Sequence, residues 1–115
     1  MDEYIPIYLM DIKIAIEELE SYFDGYPMRY EVFVKDGLRR CAVERKTEIM
    51  GEAINRILKI DRNFPLPHAK EIINTRNRII HGYDSVEPEF LWGLVIRHIP
   101  TLKEDVDKIL KNLGV

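Results

Sequence analysis

"LRRCAVERKTEIMGEAINRILKI", residues 38–60, decides the fold. Leu38, Ala42, Ile49, Ala53, Ile57 and Ile60 fall on one face of a helix, and Glu44, Glu48, Asn55 and Lys59 fall on the other. Asp36 and Gly37 break the chain before this segment, and "DRNFPLP" with its two prolines forms a loop after it. Upstream, apolar residues at 5, 9, 12, 16, 19 and 23 recur every three or four positions and predict a first helix over about 3–24. "DGYP" ends that helix. "MRYEVFVK" is read as a short helix, because no second strand candidate exists to pair with it. Downstream, a helix is predicted from near His68 to about Tyr83, and "GYDSVEPEF" breaks the chain again. Ser85 or Glu87 can cap a last segment that starts near Pro88, is interrupted by Pro100 as a kink or as two collinear pieces, and ends at "NLGV". The sum is one all-α domain over residues 1–115, an antiparallel bundle of four to five helices.

Composition narrows the functional classes. No apolar run approaches the roughly 18 residues that span a bilayer, and "MDEYIPIYLMD" lacks the basic start of a signal peptide, so a cytoplasmic protein is expected. Cys41 is the one cysteine, which rules out an intrachain disulfide and a cysteine zinc site; it reads as a small buried hydrophobe. The net charge of -3 conceals a gradient. Residues 1–24 hold seven acids and one base, residues 25–81 seven acids and twelve bases, and residues 82–115 six acids and four bases. The middle of the chain is therefore a candidate anion-binding surface.

"RNRIIHGYD", residues 76–84, carries the chemistry. At 100° per residue, Ile72, Ile73, Ile79 and Ile80 form one apolar stripe, with Arg76 and Tyr83 at about 40° and 20°, inside it. Asn77 and His81 sit together on its edge, at about 140° and 180°. A guanidinium on an inward stripe requires a compensating anion. One candidate is a structural ion pair with Glu52 of the central helix. The other is a phosphate in a cleft between two copies of the chain, held by the planar fork of Arg76. An imidazole such as that of His81 suits proton transfer near neutral pH. Arginine plus histidine with no metal-ligand cluster fits phosphodiester cleavage by the adjacent ribose 2′-hydroxyl, which points to RNA. His68 and His98 make no metal pattern with His81, and no HExxH motif or glycine-rich phosphate loop is present.

Arg76, Asn77, Ile80, His81, Gly82 and Tyr83 resemble the Arg, four residues, His, any residue, Tyr signature of the HEPN superfamily, in its HepT-like toxin branch. "CAVERKTEIMGEAINRI" is similar to that family's central helix and "VEPEFLWGLVIRHIPTLKEDV" to its final one. The sequence departs from the family pattern at Thr47 or Glu48 and at Met50, the latter a volume-conserving swap for Ile. The resemblance implies a homodimeric, metal-independent endoribonuclease without cofactor, toxic to its host and paired with a small nucleotidyltransferase antitoxin. It implies catalysis by Arg76 and His81, substrate orientation by Asn77 and Tyr83, and AMP transfer from the antitoxin to Tyr83. The competing expectation is a non-catalytic helical module that helps a nucleotidyltransferase hold its nucleotide or substrate.

Overall fold

The computed structural model describes residues 2–82 and 86–115. Among them every regular element is helical: α1 (Ile5–Ser21), α2 (Tyr30–Phe33), α3 (Gly37–Ile60), α4 (Lys70–His81), α5 (Pro88–Gly93), a π-helical turn (Leu94–His98) and α6 (Ile99–Asn112). The short helix read in "MRYEVFVK" is α2. α5, the π turn and α6 form one continuous rod, so the expected helical bundle is present with α1, α3, α4 and this rod as its long members. None of the helices described is long and apolar enough to cross a membrane.

Local chemistry sets the boundaries. Pro6 and Pro88 open α1 and α5 at positions whose N–H has no intrahelical partner in any case. Glu87 precedes α5 without a side-chain cap bond, and Ser85 lies outside the described residues. Asp36 caps α3: its Oδ1 accepts from the Arg39 backbone N–H at 3.0 Å, and its Oδ2 accepts from Arg39 Nη1 at 2.7 Å and from the Tyr26 hydroxyl at 3.1 Å. α4 ends on Gly82, whose φ of +62° is a left-handed conformation that an L side chain adopts only with strain. The π turn has a cause in Pro100, which has no N–H and whose ring crowds the carbonyl of Ile96. The helix widens just before it, and Ile99 N–H donates to Leu94 O, five residues back. The rod stays unbroken as a result.

α3 is the central element, with α1 against one side and α4 against another, while α6 packs on α1. The core includes Leu9, Ile12 and Ile16 of α1, Val43, Met50, Ile54 and Ile57 of α3, Ile72 of α4, and Leu94, Leu102 and Val106 of the rod. Phe33 of α2 stacks on Trp92 of α5 with ring centroids 5.0 Å apart and closes one end. Ion pairs Lys46–Glu18 (3.1 Å), Lys103–Glu20 (2.9 Å) and Lys13–Asp107 (3.1 Å) lace α1 to its neighbours. The molecule is flat, 43 × 33 × 18 Å in Cα extent, about two layers of helix thick.

Three expectations about faces need correction. The buried residues of α3 are Val43, Thr47, Met50, Gly51, Ala53, Ile54 and Ile57: Ala53 and Ile57 of the predicted stripe are buried, and the buried arc extends about 100° beyond that stripe to Val43, Thr47, Met50 and Ile54. Leu38 is 81% exposed and Ile60 is exposed; α3 is sandwiched between neighbours, so its apolar residues are not confined to one arc. On α4, Ile80 is 49% exposed, while Thr75 is buried with its hydroxyl donating to Glu71 O at 2.8 Å. Cys41 is exposed rather than buried.

The Asp36 cap gives a pH prediction. The Arg39 backbone N–H, and then its guanidinium, hold the Asp36 carboxyl below its ordinary value of 3.8. A depressed folded-state value means a contribution fully present above 3.8 and lost as the pH falls through the folded value. Asp36→Asn is therefore less stable than wild type in urea melts at neutral pH, and the gap narrows as the pH is lowered past 3.8. A gap independent of pH would contradict the ionic cap.

Candidate functional site: an arginine at the meeting of two grooves

Gly51 and Arg76 build the site. A Cβ placed on Gly51 would stand 2.6 Å from Arg76 Cδ and 2.8 Å from Arg76 Cβ, far inside contact distance. Only a residue without a side chain lets α4 approach α3 this closely at that turn. The aliphatic stem of Arg76 consequently lies flat on the α3 backbone, and its guanidinium is carried sideways to the rim. There Arg76 Nη2 donates to Glu52 Oε2, while Arg56 Nε donates to Glu52 Oε1 at 3.1 Å. One carboxylate thus serves two guanidiniums. The Arg76 side chain retains 17% exposure and Glu52 44%. Arg76 Nε is shielded from solvent and finds no acceptor among the described residues.

The rim separates two grooves of different electrostatic character. Between α1 and α3 lies a groove of about 480 Å³. Asp11, Glu18, Glu48 and Glu52 face Arg45, Arg56 and Arg76 there, with Tyr8, Ile14 and Ile49 between them. A second groove of about 380 Å³ runs past the last turns of α3 and is lined by Glu52, Asn55, Arg56, Leu58, Lys59, Arg62 and Arg76. Its single acid faces four bases. Arg56 stands between the two, its guanidinium 5.8 Å from the Tyr8 ring centroid.

Arg76 lies at the rim and does pair with Glu52, as one sequence reading anticipated, yet it also opens onto both grooves. Asn77 and His81, four residues apart, share the exposed outer side of α4, and neither lines either groove. Arg76 and His81 are five residues apart, so they leave the helix about 140° apart. Among the described residues, neither of the two grooves brings the guanidinium and the imidazole together. Tyr83 lies outside the described residues. Sequence reading missed Gly51 as the seat of Arg76. The available signal was a glycine in the middle of a long helix, which costs about 1 kcal/mol relative to alanine and calls for a packing reason.

The seat is testable by a double-mutant cycle. By helix propensity alone Gly51→Ala should stabilise by about 1 kcal/mol. Overpacking against the Arg76 stem reverses that sign, and the substitution costs about 1–3 kcal/mol in urea melts. In an Arg76→Ala background the same substitution becomes neutral or stabilising. Identical effects of Gly51→Ala in both backgrounds would show that the two residues do not meet.

Comparison with known proteins follows the same outline. The family model described as "Ribonuclease HepT-like" matches residues 12–109, from the middle of α1 to near the end of α6. A Methanocaldococcus jannaschii protein named "Putative RNase" is 33% identical over 109 residues, 90% of this chain and 94% of its own. A similarly named protein of Caldanaerobacter subterraneus subsp. tengcongensis is 30% identical over 113 residues, 95% of this chain and 93% of its own. A "Probable ribonuclease HepT" of Thermococcus cleftensis is 35% identical over 105 residues, 90% of this chain and 94% of its own. No solved structure matches significantly. With the family model covering α3, the basic groove along its last turns and the Arg76 to His81 helix, the chain belongs to the HepT-like ribonuclease family, a branch of the HEPN superfamily.

Proposed function

We propose that the protein is a metal-independent endoribonuclease toxin that works as a homodimer, with Arg76 and His81 meeting in a cleft shared by two copies. The observation that carries this reading is the position of Arg76, a permanent cation held on Gly51 at the rim of two open grooves in a chain of ribonuclease family. In the proposed reaction the ribose 2′-hydroxyl attacks the adjacent phosphorus, the bond to the 5′-oxygen breaks, and a 2′,3′-cyclic phosphate and a 5′-hydroxyl result. Arg76 stabilises the charge on the pentacoordinate phosphorane, and His81 moves the proton between attacking and departing oxygens. Asn77, one turn before His81 on the same exposed side, orients the imidazole or the substrate.

The outward divergence of the two groups on α4 supports a dimer, since a two-fold axis can pair the arginine of one copy with the histidine of the other. Support comes from the exposed apolar side chains Ile7 and Ile14 of α1, the latter lining the first groove, which suit an interface between copies. The proposal extends to a nucleotidyltransferase antitoxin that transfers AMP to Tyr83. An added phosphate two residues beyond His81 would compete for the cationic site and repel RNA. The pairing of Arg76 with Glu52 favours one second reading, a non-catalytic helical partner of such a nucleotidyltransferase whose arginine is structural.

Cleavage decides between them. The purified protein cuts single-stranded RNA in the presence of a chelator, leaves cyclic phosphate ends and spares DNA. Arg76→Ala and His81→Ala each lower the rate by about 100-fold or more with unchanged circular dichroism. Protein made together with its nucleotidyltransferase gains the mass of AMP at Tyr83 and loses activity. Equal cutting by both variants removes the active-site assignment, and no cutting by any preparation favours the binding module.

A further inference from the structure

The groove along the last turns of α3 has a charge pattern that the cleavage chemistry does not use. Arg56 and Lys59 lie one turn apart on the same side of α3, about 4.5 Å along its axis, and Arg62 continues the series just past the helix end. Asn55 adds an amide, and Arg76 closes the series at the rim. Among the described residues neither Lys59 nor Arg62 forms an ion pair, and the one acid of the groove, Glu52, is already engaged by Arg56 and Arg76. The neighbouring α1–α3 groove has four acids against three bases and disfavours a polyanion. The two grooves meet at Arg76, so a strand of phosphates is drawn along one side only.

We propose that Arg56, Lys59 and Arg62 form a phosphate track that holds single-stranded RNA on the approach to Arg76. This rests on the ribonuclease reading and adds the path of the substrate to it. The repeating charge of a polynucleotide backbone matches a linear series of cations, and the two guanidinium forks suit phosphate oxygens. Lys59 and Arg62 also stand near the negative end of α3. A purely helix-stabilising role there would move the melting temperature and leave RNA affinity unchanged.

The test uses the full chain and a short 2′-O-methyl oligoribonucleotide, which carries the phosphates and lacks the attacking hydroxyl, so binding is read without cleavage. Removing two phosphate contacts in Lys59→Gln/Arg62→Gln reduces the slope of log affinity against log salt by about 1.4. The advantage of wild type over this variant therefore shrinks about sevenfold between 50 and 200 mM salt. The melting temperature stays within a few degrees. Lys108→Gln/Lys111→Gln, an equal charge loss on α6, keeps the wild-type slope. An unchanged slope in the α3 variant, an equal loss in the α6 control, or no oligonucleotide binding at all overturns the track. AMP alone binding as tightly as the oligonucleotide overturns it too, because the site would then be one for a mononucleotide. Oligonucleotide bound through Lys59 and Arg62 by a protein that cuts no RNA would sink the nuclease reading and leave the track standing.

Discussion

The close approach of α4 to α3 at Gly51 is the constraint on which the site depends. Two helices whose side chains interdigitate normally stay 8–10 Å apart. At Gly51 the facing element is the stem of an arginine, with no room for even a methyl group. The stem is buried against backbone while the charge emerges at the edge, so the molecule secures a fixed guanidinium without placing it in the core. Glu52, the next residue, neutralises the charge while its side chain stays partly open to solvent. Because solvent reaches the carboxylate side of the pair and screens it, an incoming phosphate can compete with Glu52 for the same guanidinium.

The remainder of the fold keeps that approach in register. α3 is fixed at its start by Asp36 and Arg39, and the Phe33–Trp92 contact ties α2 to α5 beside it. The continuous rod meets α4 through its π turn and α1 through α6. The flat shape leaves α1 and α3 with a broad exposed face, in which acidic and apolar side chains alternate, next to a basic strip at the end of α3.

Much of this was legible in the sequence, and the failures share one cause. Helix positions followed from apolar spacing and from the turn residues at Gly25, Asp36, Pro65, Pro67 and Gly82. The Arg76 to His81 motif was conspicuous because a guanidinium among isoleucines violates the ordinary pattern, and Glu52 was nameable as its partner. Faces were less legible. α3 touches neighbours on several sides, so hydrophobicity alone selected Leu38 and Ile60, which are exposed, over Thr47, which is buried. Gly51 escaped notice because a glycine has no side chain whose direction can be computed from spacing; its meaning appears only when the opposing helix is in place. The segregation of charge between the two grooves was equally hidden, since it depends on which helix faces which.

The proposed site requires Arg76 and His81, which diverge on one helix, to cooperate across two copies of the chain. The direct measurement is the activity of a mixed dimer purified through two different tags, one copy bearing Arg76→Ala and the other His81→Ala. If the groups meet across the two-fold axis, this dimer holds one intact pair and regains RNA cleavage up to that of a single site, although each variant alone is silent. A mixed dimer as silent as its parents would place the arginine and the histidine within one copy, contrary to the divergence described above.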